Sequence, residues 1–263
     1  MTKGKQMKPG FMSSVCPQQT LPELIETANR YGYKGLEFRV EWDHQHGIEL
    51  DASDMQIESA KQQLDEAGIV CTCIATGVQF NSDDADQHVR QQEILKQYIE
   101  LAASVGAPFL RTFGDPVPEE DASARDAVLS LAAQSYAAVD EQAKQHGVYL
   151  LIETHTNMRA HWARQVIDKA NVQRLGVLWH IGHHIGYGQS VDDAYIHIKD
   201  DVHHLHFNLG GRVTNDDNQR TFELLKPDGF DGFFSVEVIN PDEPEVVLQH
   251  HIDKFNHFMN TVV

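Results

Sequence analysis

The chain has 263 residues, 41% of them hydrophobic, and a formal net charge of −18 from 39 acidic residues against 21 lysines and arginines. An acidic surface repels phosphate backbones, so nucleic acid is excluded as an expected partner. No apolar run approaches the roughly 20 residues that cross a bilayer, and we expect no membrane association. The three cysteines have no framework spacing, which indicates a reducing compartment, and we expect a cytoplasmic protein.

Strand-like and helix-like segments alternate along the chain. The first helix is predicted to begin after Thr20 as N-cap, and the second is predicted to begin at Ser53 and to end at Gly68. Further helices are predicted before Gly106 and Gly147, and the last runs over residues 243–259. The strand candidates, in order, are PGFMSSV, KGLEFRVEW, IVCTCIATG, APFLRTFGD, VYLLIETH, GVLW, HLHF and FFSVEVIN.

Eight such strands, each too apolar to be half exposed, indicate a parallel sheet covered by helices. Eight repeats in a chain of this length predict an α/β fold of the (β/α)8 TIM-barrel type, as a single domain over residues 1–263. A doubly wound nucleotide-binding sheet would carry a glycine-rich turn after its first strand, and SSVCPQQ has none. In a barrel the active site lies at the carboxyl ends of the strands.

Four consecutive strand ends carry a carboxylate or an imidazole, namely Glu153, His180, His206 and Glu237. A carboxylate at the end of a buried strand needs a hydrogen bond, an ion pair or a metal, because leaving it unpaired costs several kcal/mol. A salt bridge with an arginine is the structural alternative for either glutamate. Two carboxylates with two imidazoles suit Mn, Co, Zn, Ni or Fe better than Mg or Ca, and we predict a divalent-metal site.

Other histidines surround this predicted site. His183 follows His180 by one short loop and is expected to contact substrate. His155 lies two residues beyond Glu153, on the same side of its strand, and is expected to support the metal ligands. Four more are expected at surface or helix positions: His203, His204, His250 and His251.

Taken together, these segments resemble the xylose isomerase-like TIM-barrel superfamily. That superfamily contains sugar isomerases and epimerases, inosose dehydratase, hydroxypyruvate isomerase and endonuclease IV. The resemblance covers nearly the whole chain and depends on the order and spacing of short motifs. These are GLEFR on the second strand, FLRTFG on the fourth, LLIETH on the fifth, HIGHH on the sixth, HLHF on the seventh and SVEV on the eighth.

The resemblance implies a metal held by Glu153, His206 and Glu237, with a fourth ligand from the sixth strand. In the family this ligand is usually an aspartate, three residues before a histidine that touches substrate. Here His183 matches that histidine, and His180 occupies the aspartate position. The sequence leaves three outcomes open: a nitrogen ligand at His180, an altered metal preference, or a position open to water.

The resemblance also implies three further substrate-binding residues. Arg212 stands at the spacing where ketose 3-epimerases place a substrate-binding arginine, after Gly210 and Gly211, and an exposed loop arginine is the alternative. Glu37 and Arg111 match recurrent charged positions on the second and fourth strands. For these two residues an Arg111–Glu37 ion pair and a substrate contact remain alternatives.

We therefore expect a metal-dependent isomerase or epimerase of a small sugar or polyol, with Glu153 and Glu237 as catalytic base and acid through an enediolate. The nearest alternative is a dehydratase or lyase acting on a keto-inositol or 3-keto-glycoside. Another alternative is a catalytically inactive sugar-binding barrel or complex subunit. Endonuclease IV-like hydrolysis requires further metal ligands and a basic groove, which the acidic composition disfavours. The family resemblance also suggests homodimers or homotetramers.

Overall fold

The computed structural model of the protein describes residues 6–262, and among these eight parallel strands close into a barrel in sequence order. Each strand pairs with the next, and β1 pairs with β8 to complete the ring. The predicted (β/α)8 barrel is therefore confirmed, while residues 1–5 and 263 of the predicted domain lie outside the described part. The strands are β1 (Lys8–Met12), β2 (Gly35–Arg39), β3 (Val70–Gln79), β4 (Phe109–Phe113), β5 (Tyr149–Glu153), β6 (Leu175–His180), β7 (Val202–Phe207) and β8 (Phe233–Val236).

Helices follow the strands and cover the outside of the barrel. The predicted N-caps are confirmed: the Thr20 backbone N–H donates to the Glu23 carboxylate at 2.8 Å, and the Ser53 hydroxyl accepts from the Gln56 N–H. Gly68 ends the second helix with a left-handed φ of 67°, a conformation that glycine adopts without strain. The helices are α1 (Leu21–Tyr31), α2 (Asp54–Ala67), α3 (Ala85–Val105), α4 (Ala122–His146), α5 (Ala160–Ala170), α6 (Ile181–Gly186), α7 (Val191–Ile198), α8 (Asn215–Leu225) and α9 (Pro244–Thr261).

The connection after β6 differs from its prediction. The sequence IGHHIG was expected to form a short loop, and it forms the one-and-a-half-turn helix α6 instead. The His180 side chain caps this helix, since its Nδ1 accepts a hydrogen bond from the His183 backbone N–H at 3.3 Å. His183 and His184 are consequently helical residues whose side chains leave α6 in different directions.

Two kinds of interior hold the fold together. Between sheet and helices the packing is apolar, as in the contact between the rings of Phe222 and Phe234, whose centroids lie 4.3 Å apart. Inside the mouth of the barrel the layer consists of carboxylate, guanidinium and imidazole side chains, each exposed by 1% or less: Glu37, Arg111, Glu153, His204 and His206. Buried charges require partners, and this layer supplies them across the barrel. None of the helices within residues 6–262 combines the length and hydropathy that crossing a membrane requires.

Candidate metal centre and active site

The structure brings Glu153, His180, His206 and Glu237 to one point at the carboxyl ends of β5 to β8. One potential ligand atom from each residue lies within 4.8 Å of the ligand atoms of the others. The convergence follows from topology, because four successive parallel strands end at the same rim of a closed barrel. Two oxygens and two nitrogens around one point form a donor set for a divalent transition metal.

His206 is the centre of this cluster. Its Nδ1 lies 3.1 Å from Glu153 Oε1 and 3.2 Å from Glu237 Oε2, and its Nε2 lies 3.1 Å from Glu37 Oε1. Burial alone would lower the pKa of His206, but the three carboxylates outweigh it and raise the pKa well above the usual value. The ring therefore carries a proton on each nitrogen and supplies the positive charge that the carboxylates require. A cation bound at Nδ1 would replace one of these protons.

Glu37 lies beneath His206 and orients it. One carboxylate oxygen faces His206, and the other lies 2.9 Å from Nε2 of His204. Burial raises the pKa of Glu37, but the two imidazoles outweigh it and hold the pKa well below the usual value. With the Nε2 proton of His206 donated to Glu37, Nδ1 is the nitrogen that points at the other carboxylates. Glu37 is fully buried and binds imidazoles, so its geometry supports positioning of His206 rather than contact with substrate.

The expectation of a surface position for His204 is wrong. His204 lies on β7 and is fully buried, with its ring inside the barrel. Residues two apart on a strand share a face, so His204 and His206 both point inward, and both reach Glu37. The alternation HLH on a buried strand was the signal that could have found this residue.

Arg111 pairs with Glu153 rather than with Glu37. Its Nε lies 3.3 Å from Glu153 Oε2, one terminal nitrogen donates to the Thr76 carbonyl at 2.8 Å, and the guanidinium lies 3.9 Å from the Phe113 ring centroid. Burial raises the pKa of Glu153, but His206 and Arg111 outweigh it and lower the pKa to about 2. The 3.3 Å approach lacks hydrogen-bond geometry, so Oε2 of Glu153 is a buried oxygen without a hydrogen-bond partner in the described part of the chain. Such an oxygen fits a site built for a cation.

His180 connects the cluster to α6. Its Nε2 lies 2.9 Å from Glu237 Oε2, and its backbone N–H donates to the Thr154 hydroxyl at 2.8 Å. Because Nδ1 accepts the N–H of His183, the proton of a neutral ring resides on Nε2 and is donated to Glu237. His180 can ligate through Nε2 only when that proton leaves or moves to Nδ1. The ring thus has two arrangements, one positioning Glu237 and one ligating.

His183 and His155 lie side by side at the edge of the cluster. The ring of His183 has its centroid 3.9 Å from that of His180 and 4.6 Å from that of His155. Burial and the neighbouring His180 lower the pKa of His183 to about 3, so its ring is neutral. His155 is held by Asp115, whose two carboxylate oxygens each lie 3.0 Å from Nδ1, and this leaves Nε2 directed away from Asp115. A neutral ring and a carboxylate-bound ring therefore face the same space.

Two arginines lie further out. Arg212, expected to bind substrate, is exposed after the left-handed Gly210 and Gly211, and its side chain lies against Gly186 at the end of α6. Arg39, which was not among the predicted site residues, lies on the same face of β2 as Glu37 and two residues nearer the mouth. Its guanidinium is stacked on the Trp42 ring, 3.9 Å from the centroid.

The sequence model of the family described as xylose isomerase-like TIM barrel matches residues 25–257. Among solved structures, L-ribulose 3-epimerase has a TM-score of 0.78 at 17% identity, with 97% of this chain and 95% of that chain covered. The probable 3-DHS dehydratase AsbF from Bacillus anthracis has a TM-score of 0.75 at 16% identity, with 95% and 99% covered. The IolI protein with a binding zinc atom has a TM-score of 0.74 at 15% identity, with 96% of each chain covered.

No curated protein matches the chain. At identities below one fifth, the likeness to the solved structures establishes the fold alone. The family match extends over most of the sequence, and the barrel, its strand order and the cluster at its mouth agree with it. The chain belongs to the xylose isomerase-like TIM barrel family.

Proposed function

We propose that the protein is a divalent-metal-dependent isomerase or epimerase of a small sugar or polyol. The observation that carries the proposal is the convergence of Glu153, His180, His206 and Glu237 within 4.8 Å at the barrel mouth. The solved structures that are similar to this chain include sugar-modifying enzymes, for example L-ribulose 3-epimerase. Buried carboxylates around a single point have few uses in a soluble fold besides holding positive charge and moving protons.

The residues present fit a metal. Glu153, His206 and Glu237 would hold it, with His180 as fourth ligand in its ligating arrangement, and Glu37 would fix the orientation of His206. When bound, such a cation supplies Lewis-acid polarisation of a carbonyl and stabilises negative charge on the substrate oxygens. Two imidazole nitrogens favour Mn, Co, Zn, Ni or Fe over Mg, and the IolI neighbour contains zinc.

His180 gives the metal preference a direct test. In His180→Asp the nitrogen donor is replaced by oxygen, so we expect Mg²⁺ to raise the melting temperature more in the variant than in the wild type, and Zn²⁺ to raise it less. The exposed His257→Asp, on α9, is the matched control and should leave both shifts unchanged. Identical metal shifts in His180→Asp and the wild type would exclude His180 as a ligand.

In the proposed reaction Glu153 accepts the proton from the carbon next to the carbonyl, and the substrate becomes an enediolate. Glu237, which approaches from β8 rather than β5, takes up a proton from solvent and gives it to the opposite face of the same carbon for epimerisation, or to the adjacent carbon for isomerisation. Glu153 then releases its proton to solvent, which restores both carboxylates. In the reverse direction the two glutamates exchange roles. His183, a neutral ring able to donate or accept, and Arg212 would orient the substrate oxygens.

The test follows solvent deuterium by NMR in the Zn²⁺- or Mn²⁺-loaded protein incubated with D-fructose, D-tagatose and D-xylulose. We expect the wild type to exchange the proton next to the carbonyl of at least one ketose. Glu153→Gln should slow this exchange by at least about a hundredfold. The control Glu58→Gln, an exposed carboxylate on α2, should exchange at the wild-type rate.

Retained exchange in a folded Glu153→Gln variant would contradict the role of Glu153. A wild-type protein that takes up metal but exchanges neither these ketoses nor D-fructuronate and D-tagaturonate, with no product formed, would favour the catalytically inactive sugar-binding barrel. Circular dichroism of both variants distinguishes lost chemistry from lost folding.

One observation favours a second function, a dehydratase or lyase acting on a keto-inositol or 3-keto-glycoside. Elimination needs an acid that delivers a proton to the leaving oxygen, and the Asp115–His155 pair places an oriented imidazole beside the cluster. AsbF, one of the structural neighbours, is described as a probable dehydratase. Product analysis by NMR across ketoses, inososes and 3-keto-glycosides decides between the two. Water loss abolished in His155→Gln, with proton exchange retained, would establish the elimination.

A further inference from the structure

Arg39 differs from the other inward-facing arginine in having no partner. Arg111 is held by the Glu153 carboxylate and the Thr76 carbonyl. The guanidinium of Arg39 is half-buried, makes no hydrogen bond or ion pair with any residue in the range 6–262, and lies over the face of the Trp42 ring. A guanidinium carries five donors in a planar fork, and stacking on an aromatic ring leaves their edge free.

The backbone beneath this side chain is firmly held. The Arg39 N–H donates to the Ser13 hydroxyl at 2.9 Å, and that hydroxyl lies 2.8 Å from Nδ1 of His44. The Arg39 carbonyl accepts from Nε2 of His46 at 3.1 Å. The main chain at the end of β2 is therefore fixed from both sides, while the donor groups at the tip of the side chain have no partner among residues 6–262. Such an arrangement is typical of a residue that is kept in place for a ligand.

The loop that carries Trp42 is strained. Glu41 and Asp43, on either side of the tryptophan, adopt left-handed backbones with φ of 74° and 54°. Such backbone conformations are unfavourable for residues other than glycine and persist only where the surroundings hold them. Here the Glu41 N–H donates to the Glu49 carboxylate at 3.0 Å, and the Glu41 carboxylate accepts from the Gly77 N–H. This loop holds an indole that is still 52% exposed against the arginine.

The charges of the site also leave room for an anion. Burial and then Arg111 lower the pKa of Arg39 below its usual value, while Glu237 and Glu153 oppose this shift, so Arg39 lies within the electrostatic field of the cluster. A divalent cation bound to the cluster would add positive charge at the mouth, which favours an anionic group on the substrate.

We infer that Arg39, stacked on Trp42, binds a carboxylate of the substrate, which is therefore a keto-acid form of a sugar or polyol rather than a neutral sugar. The inference rests on the proposed function for the identity of the reacting carbonyl. A planar carboxylate matches the guanidinium fork with two parallel hydrogen bonds. A phosphate ester brings close to two negative charges and would need a second cation, whereas Arg111 is already bound to Glu153.

The experiment compares neutral and acidic partners of the same skeleton by isothermal titration calorimetry on the Zn²⁺-loaded protein. The probes are D-fructose with D-fructuronate, D-tagatose with D-tagaturonate, and fructose 6-phosphate. We expect each acid to bind about ten- to a hundredfold more tightly than its neutral partner, as hydrogen bonds to charged groups provide. Arg39→Met should remove this preference without weakening the neutral sugars, and Arg39→Lys should restore part of it.

The control Arg90→Met, an exposed arginine on α3, should preserve the preference. Melting temperatures of all three variants monitor folding. Three results with the wild type would each overturn the inference: equal affinity for an acid and its neutral partner, no binding of either acid, or higher affinity for fructose 6-phosphate than for the acids. A preference for the acids that survives in Arg39→Met would overturn it as well. If the acids bind through Arg39 but no substrate proton exchanges with solvent deuterium, only the proposed reaction is contradicted. If fructose exchanges its proton but the acids bind no more tightly than the neutral sugars, only this inference is contradicted.

Discussion

His206 in the barrel mouth and His184 on α6 are both buried, yet the two imidazoles are held in opposite protonation states. Carboxylates face both nitrogens of His206 and raise its pKa well above the usual value. Around His184, Nδ1 donates to the Gln189 carbonyl at 2.8 Å, and Nε2 accepts from the Trp179 indole N–H at 2.9 Å. Burial lowers the pKa of His184 to about 4.

The difference shows that burial alone does not decide the state of a histidine. Desolvation acts in the same direction on both rings, and the neighbours determine whether it prevails. Where the neighbours are acids, the ring stores a proton that a cation can displace. Where they are a carbonyl and an indole, the ring is a neutral hydrogen-bonding connector that fixes α6 against β6. The first environment is suited to chemistry, and the second to structure.

Replacing Glu37 should produce the largest change in stability and metal affinity, because His204 and His206 both lose the carboxylate that they contact. We expect Glu37→Gln to lower the free energy of unfolding by about 3–5 kcal/mol, the usual result of breaking a buried ion pair. Metal affinity should fall by about ten- to a hundredfold, because Nδ1 of His206 is no longer oriented. Urea unfolding and equilibrium dialysis measure the two effects, with the exposed Glu58→Gln on α2 as control. If the free energy of unfolding of the variant lies within about 1 kcal/mol of the wild-type value and metal affinity is unchanged, the contacts of Glu37 with His204 and His206 are dispensable.

The neutral environment of His184 predicts a loss of stability in acid. Its folded pKa of about 4 lies below the unfolded value near 6.5, so the unfolded chain binds the proton first as the pH falls. The contribution of His184 is complete above about pH 6.5 and should decline towards pH 4, by on the order of 3 kcal/mol. His46 and His251, with pKa values lowered to about 4 by burial, should add to this decline.

A variant isolates the share of His184. In His184→Gln the amide can donate to the Gln189 carbonyl and accept from Trp179 without a proton to gain. The free energy of unfolding, measured with urea between pH 4 and pH 7, should therefore depend less steeply on pH in the variant than in the wild type. Parallel curves would mean that His184 is not held neutral by its neighbours.

An exposed ion pair should show the smallest effect and sharpens the contrast with Glu37. Arg220 binds Asp192 at 2.6 Å, with the two side chains 44% and 56% exposed. Water screens such a pair, and Arg220→Gln should lower the free energy of unfolding by less than about 1 kcal/mol. A loss as large as that of Glu37→Gln would mean that burial does not control the strength of these pairs.

The fold could be predicted from the sequence because apolar strand runs alternate with helices that have clear caps. The four residues of the cluster could be predicted for the same reason, since each ends a recognisable strand. The contact between Glu37 and His204 could not be predicted, because it joins positions 167 residues apart and depends on closure of the barrel. The helix α6 was missed because IGHHIG is too short to show helical periodicity. Strand alternation in GLEFR already puts Arg39 on the same face as Glu37, but the sequence does not show that its guanidinium lacks a partner within residues 6–262 and lies over Trp42.

We expect His206 and the surrounding carboxylates to exchange a proton for a divalent cation. Isothermal titration of Zn²⁺ at pH 7, in buffers of different ionisation enthalpy, measures the bound metal and the released protons together. We expect one ion per chain with about one proton released, and loss of both in His206→Gln. Absence of saturable binding, or binding that survives in His206→Gln without proton release, would contradict the account.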